Sequence, residues 1–149
     1  MIKEYYQPLK LAEALTFLSV FPGSVHILAG GTDLLVNMRK GQIKPEGIVD
    51  LSKIEELKTI SQEGNNLSIG ALVTFSELAA HPLVQELISV LACGAKAVGS
   101  PQIRNRGTVG GNIANASPAA DLVPVLVALD GVAVIAKQNG LRKVPVAEL

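Results

Sequence analysis

The sequence has no tryptophan and little other aromatic character, since two tyrosines and three phenylalanines make up 3% of its 149 residues. A ligand ring bound by such a chain has to be walled by aliphatic side chains and backbone, with little stacking on offer. Cysteine occurs once, at Cys93, which excludes a disulfide framework and any cysteine-held metal or iron–sulfur cluster within this chain. The two histidines, His26 and His81, lie too far apart to show metal-ligand spacing. No apolar run reaches membrane-spanning length, and residues 1–6 are charged and aromatic rather than leader-like, so a cytoplasmic protein is expected. Excess charge of one sign is lacking too. Thirteen Lys and Arg offset thirteen Asp and Glu, which argues against nucleic acid or a membrane surface as partner. Neither G-x-G-x-x-G nor G-x-x-x-x-G-K-[ST] occurs, and no Ser/His/Asp set or credible carboxylate pair emerges.

What is present is a chain of single-domain length, 48% hydrophobic and only 17% charged, able to bury a real core. Tyr5-Tyr6-Gln7-Pro8 reads as a short edge strand stopped by proline. Leu11, Ala14, Leu15 and Leu18 recur at helical spacing and predict a helix over 10–20, ended at Pro22-Gly23. A strand over 25–29, a helix over 34–39 capped by Thr32 or Asp33 with Gly41 after it, and a strand over 47–51 follow. That alternation predicts a small α/β subdomain with a mostly parallel sheet. After Leu51 the pattern changes to a hairpin of 57–61 with 67–70, then a capping box at Thr74-Phe75-Ser76-Glu77. Pro82 opens a helix with Leu83, Leu87, Val90 and Leu91 along one face, and Cys93 reads as a buried small hydrophobe. A buried helix over 122–129, starting near Pro118 to Asp121, and a hairpin turning at Asn139-Gly140 complete the reading.

Two glycine pairs stand out. Ala29-Gly30-Gly31-Thr32-Asp33-Leu34 reads as strand, glycine turn and helix start, with amides available to an anion. A tight strand–helix turn without a ligand accounts for it about as well. Thr108-Val109-Gly110-Gly111-Asn112 clusters a hydroxyl, two glycine amides and a carboxamide in a second donor-rich turn, with a structural glycine bend as the alternative. Together they suggest a clamp on a diphosphate. Arg104 and Arg106 could offset its charge but rank below the backbone donors. Asp121 could accept from a sugar or ribityl hydroxyl, or cap the helix that follows it.

Read together, Ala29 to Leu35 and the stretch Gln102-Ile103-Arg104-Asn105, Thr108 to Ile113, Ser117-Pro118 and Asp121 resemble the FAD-binding subunit of molybdenum hydroxylases. The resemblance spans essentially the whole chain. It implies an α+β fold of the vanillyl-alcohol-oxidase or PCMH type, with two small α/β subdomains, here about 1–53 and 54–149, and FAD between them. It implies a diphosphate site from Ile27, Leu28, Ala29, Gly30, Gly31, Thr32, Asp33 and Leu34 with Thr108, Val109, Gly110, Gly111 and Asn112. It places Val98 against the flavin and Asp121 on the cofactor's hydroxylated part. By the same resemblance, the molybdenum cofactor sits on a large partner subunit and 2Fe-2S clusters on a small one, with NAD or another molecule as electron acceptor. Family members continue past the length of this chain, which leads us to expect weaker FAD retention and self-association of these 149 residues. The rival readings are a non-catalytic domain with a vestigial cofactor site and a stand-alone flavin reductase of the same superfamily.

Overall fold

The computed structural model describes residues 2–117 and 120–149. Pro118, part of the second motif and of the expected helix start, lies outside the described residues, as does Ala119. Strand β1 (Glu4–Tyr6) leads into helix α1 (Leu11–Val20), β2 (Val25–Leu28), α2 (Leu34–Arg39) and β3 (Gly47–Asp50). The three strands form a wholly parallel sheet in the order β1-β3-β2, with β3, buried along its length, at the centre. A central strand of a parallel sheet packs on both faces, which is why Gly-Ile-Val-Asp carries no polar alternation. Ala14 of α1 packs with Val49, Ile54 and Leu72 in a first core that draws in Phe17, Val25 and Ala29.

Two turns of 3₁₀ helix (Leu51–Lys53 and Glu55–Lys58) lead to the hairpin β4 (Ile60–Glu63) and β5 (Asn66–Ile69), which turns at Gly64-Asn65 with Gly64 at φ 60°. Helix α3 (Phe75–Ala80) starts at the expected capping box. Thr74 Oγ1 accepts from the Glu77 amide at 3.2 Å, and Glu77 Oε2 accepts from the Thr74 amide at 2.8 Å. The helix expected from Pro82 is two helices, α4 (Pro82–Leu87) and α5 (Ser89–Ala97), because Ile88 leaves helical geometry at φ −142°, ψ 62°. That break resets the buried face. Val84, Leu91, Ala92 and Ala95 enter the second core, while Leu87 and Val90 stay exposed. Cys93 falls on the far side of α5 and is exposed, so its reading as a buried residue is corrected.

A short helix that the pattern did not announce, α6 (Pro101–Arg104), follows Ser100, whose hydroxyl accepts from the Ile103 amide at 3.3 Å. Then come α7 (Val109–Asn115), α8 (Val123–Ala128), β6 (Val132–Lys137), β7 (Gly140–Pro145) and a last 3₁₀ turn (Val146–Glu148). In the β6–β7 hairpin Lys137 pairs with Gly140, so Gln138 and Asn139 form the two-residue loop and Gly140, at φ 126°, opens β7. The turn sits one residue earlier than Asn139-Gly140 predicts. The second core gathers Val73, Phe75, Leu78, Val84, Leu91, Val98, Leu122 and Leu126 around α5. Among the described residues, no helix is long and apolar enough to cross a membrane.

Candidate functional site

The first glycine pair is an open loop. Between β2 and α2, Gly31 takes φ 77°, a left-handed conformation that favours glycine. Among the described residues, the amides of Gly30, Gly31, Thr32 and Asp33 donate to no backbone carbonyl or side chain. Successive unpaired amides beside a left-handed glycine are the elements of an anion-binding concavity. Asp33 stands at the head of α2 without a side-chain cap bond, and its carboxylate accepts instead from Thr32 Oγ1 at 3.2 Å. Ile27 is exposed, whereas Leu28, Ala29 and Leu34 are half-buried.

The second pair is a helix, not a turn. Thr108 caps α7, and Gly110 and Gly111 lie in its first turn. Their amides are already spent. Val109 donates to the Val73 carbonyl and Gly110 to the Ala71 carbonyl, both at 2.9 Å, and Gly111 donates to Thr108 Oγ1 at 3.1 Å. The expectation that these glycine amides grip an anion is therefore corrected: Gly110, with Val109, stitches α7 onto the chain before α3, and Gly111 completes the Thr108 cap. Gly110 is glycine for space, because a Cβ there would lie 2.6 Å from Ala71 Cβ. What the segment leaves for a ligand is side chains. Thr108 accepts from Gly111 and keeps its own hydroxyl hydrogen to donate. Among the described residues, Asn112 Oδ1 is buried without a partner, and such an orphaned acceptor costs free energy until something donates to it.

The two motifs meet. A Cβ on Gly30 would fall 1.9 Å from the Arg106 carbonyl oxygen, so the first loop lies directly against the chain entering α7. Thr108 also bridges Thr74, and the Phe75 amide donates to the Gly107 carbonyl at 3.2 Å, fixing that entry against α3. The two arginines separate. Arg104 donates to the Val98 and Gly99 carbonyls, each at 3.0 Å, and is consumed in closing α5. Arg106 is exposed, and among the described residues its side chain has no hydrogen bond or ion pair. Val98 is buried in the second core and does not line open surface. Asp121 is exposed and does not cap α8, whose first position is preceded by Leu122.

Beneath the first loop lies a polar cluster that sequence reasoning missed. Asp50 ends β3 opposite Leu28, the last residue of β2, and is only 6% exposed. Its carboxylate accepts from the Tyr5 hydroxyl, from Gln7 Nε2 at 2.9 Å and from the Ser52 amide at 2.9 Å. Burial works to raise the Asp50 carboxyl, but the bonds from Tyr5, Ser52 and Gln7 outweigh it and hold it below the ordinary carboxylate value. The hydrogen bond to Asp50, aided by burial and the neighbouring charge, pushes the Tyr5 hydroxyl above its ordinary value. A groove of about 660 Å³ lies elsewhere: Leu9, Leu11, Leu15, Glu56, Gln138 and Leu141 are among the residues lining it. Among the described residues, no cluster of His, Cys, Asp and Glu could hold a metal ion.

The fold is mixed α and β, with an open glycine loop packed against a capped helix start, and likeness to known proteins assigns it to a class. The model of the FAD binding domain in molybdopterin dehydrogenase matches residues 1–149, and the chain belongs to that family. The carbon monoxide dehydrogenase medium chain of Hydrogenophaga pseudoflava is 37% identical over 142 residues, which cover 95% of this chain and 50% of the relative. The nicotinate dehydrogenase FAD-subunit of Eubacterium barkeri is 37% identical over 146 residues, covering 97% and 49%. Carbon monoxide dehydrogenase from H. pseudoflava lacking the Mo-pyranopterin moiety superposes with a TM-score of 0.95 at 36% identity, covering 99% of this chain and 51% of that one. Quinoline 2-oxidoreductase from Pseudomonas putida 86 gives 0.94 at 32% identity, covering 98% and 51%. The chain thus spans about half the length of the curated relatives it matches, and the family and fold implied by its motifs are borne out. For FAD, the residues fit on two counts: unpaired amides in the first loop and an orphaned carboxamide oxygen at Asn112.

Proposed function

We propose that this chain is the FAD-binding part of an electron-transfer subunit in a molybdenum hydroxylase. In that role it serves a large molybdenum-cofactor subunit and a small iron–sulfur subunit, and electrons from the latter reach NAD or another acceptor through the bound flavin. The flavin supplies the one- and two-electron redox chemistry. The chain's own residues bind and orient. The amides of Gly30 to Asp33 donate to the diphosphate, the free Arg106 offsets its charge, and Thr108 donates its hydroxyl hydrogen. Asn112 Oδ1 cannot serve a phosphate, which is itself only an acceptor. It takes a hydrogen bond from a hydroxyl on the ribityl or ribose part. Val98 and Asp121, also expected at the cofactor, act there only through backbone in the first case and from an exposed turn in the second.

The observation that carries this reading is the row of amides in the first loop, unpaired among the described residues, in a segment that packs through Gly30 against the chain entering α7. The reading is tested by titrating FAD into the wild-type chain and into Asn112→Leu. A hydroxyl bond worth about 1 kcal/mol corresponds to a loss of affinity of about fivefold to tenfold. Removing an orphaned buried acceptor should at the same time raise the stability of the flavin-free chain. Unchanged affinity with lowered stability would make Asn112 a structural residue and remove it from the site.

A further inference from the structure

All three strands of the first sheet run parallel, so their carboxyl ends share one edge, and it is outside that edge that parallel sheets receive ligands. The first glycine loop leaves this edge from β2. Asp50 stands on the same edge at the end of β3, paired with Leu28. It is 6% exposed, and the Tyr5 hydroxyl, Gln7 Nε2 and the Ser52 amide all donate to it. Gln7 Nε2 also donates to Ser52 Oγ at 3.0 Å, which ties the chain leaving β1 to the turn that follows β3. A carboxylate buried this deeply and already bonded is no ligand for a phosphate, which its charge would repel. It acts on that edge through its neighbours.

Those neighbours lead to the loop. By accepting from Ser52, Asp50 caps the 3₁₀ turn Leu51–Lys53, which lies against β2. Leu51 of that turn and Ala29 at the root of the loop pack on one core, around Val49, Ile54 and Leu72. Ala29 precedes Gly30, and the amides of Gly30 to Asp33 donate to nothing among the described residues, so the root does much to set their path. We propose that Asp50 is a positioning residue for the first glycine loop: held by Tyr5 and Gln7, it fixes the capped turn beside which the loop is seated and keeps the four amides arranged to receive an anion. This role rests on the reading of that loop as the diphosphate site. Aspartate suits it because three donors converge there and a carboxylate only accepts, whereas asparagine of the same shape replaces one oxygen with a donor.

The test compares wild type with Asp50→Asn, Tyr5→Phe and Val84→Ala, the last opening a cavity in the second core, away from the loop. FAD is titrated under conditions in which each variant is fully folded by urea unfolding. Asp50→Asn should weaken FAD binding about tenfold and Tyr5→Phe about threefold, while Val84→Ala binds as wild type. Tyr5→Phe keeps the carboxylate and two of its three bonds, and carries the test should Asp50→Asn not fold. In ¹⁵N spectra of the flavin-free chains, the amides of Gly31, Thr32 and Asp33 should move in both cluster variants, and those of Gly110 and Gly111 should not. Cluster variants that bind FAD no more weakly than Val84→Ala would make Asp50 a structural residue and overturn the proposal. So would first-loop amides that keep their wild-type positions. A wild-type chain that binds no FAD, with loop amides that still answer to Asp50→Asn, would fault the cofactor reading and leave the positioning of the loop standing.

Discussion

Gly30-Gly31 and Gly110-Gly111 look alike in the sequence and do different work in the fold. In the first pair the amides have no partner among the described residues, and one glycine holds a left-handed conformation. In the second the amides are spent on Ala71 and Thr108, and the glycines lie in a helix. Paired glycines therefore mark backbone that comes close to something, without saying whether that is a ligand or another strand of the same protein. The first pair itself divides. Gly30 is there because the Arg106 carbonyl leaves no room for a Cβ, and Gly31 because of its φ.

A scan of these four positions is the way to break the comparison, with stability read from urea unfolding and flavin affinity from titration. Gly30→Ala should be the most damaging, at about 3 kcal/mol, because its Cβ would meet rigid backbone. Gly110→Ala should cost about 2 kcal/mol, against Ala71. Gly31→Ala should cost about 1–2 kcal/mol for its positive φ, and should weaken FAD binding by disturbing the free amides. Gly111→Ala should stay within about 0.5 kcal/mol of wild type and keep its flavin affinity, since helix propensity offsets the nudge to the Thr108 hydroxyl.

The Asp50 cluster sharpens the comparison from below, because it supports the strand ends from which the first loop springs. Tyr5→Phe should cost about 1 kcal/mol near neutral pH, a charge-assisted bond discounted for the exposure of Tyr5. Asp50 is held below its ordinary value, so its contribution is complete above the ordinary carboxylate range and is lost as pH falls through the lowered value. The raised Tyr5 hydroxyl acts at the other end. Its contribution is complete below the ordinary tyrosine range and is lost as pH climbs through the raised value. Urea midpoints measured across the acid range should therefore fall less steeply in Tyr5→Phe than in wild type.

Much of the fold was legible because it is locally encoded. The helical spacing of α1, the Thr74 capping box and the short strands lie within a few residues of their cause. The errors share a different origin. The break at Ile88, the exposure of Cys93 and the helical state of Gly110-Gly111 are decided by what lies across the core, such as Val73 and Ala71 receiving the α7 amides. Thr108 and Asn112 were legible as polar groups beside glycine, and the pairing of the two motifs was suggested by their shared donor chemistry and then by resemblance. That Asn112 is orphaned while its neighbours' amides are spent is visible only in three dimensions. Asp50 offered little local signal, because Tyr5 and Gln7, two of its three partners, lie 45 and 43 residues away.

The contrast between the two glycine pairs is tested most directly by amide NMR on the ¹⁵N-labelled chain, first alone and then with FAD added. In the flavin-free chain, Gly110 and Gly111 should be protected from hydrogen exchange, and Gly30, Gly31, Thr32 and Asp33 should exchange fast. On adding FAD, the amides of the first loop should shift and gain protection, and those of Gly110 and Gly111 should keep the protection they had. Gly110 and Gly111 exchanging freely until FAD arrives, with the first loop indifferent to it, would contradict the account.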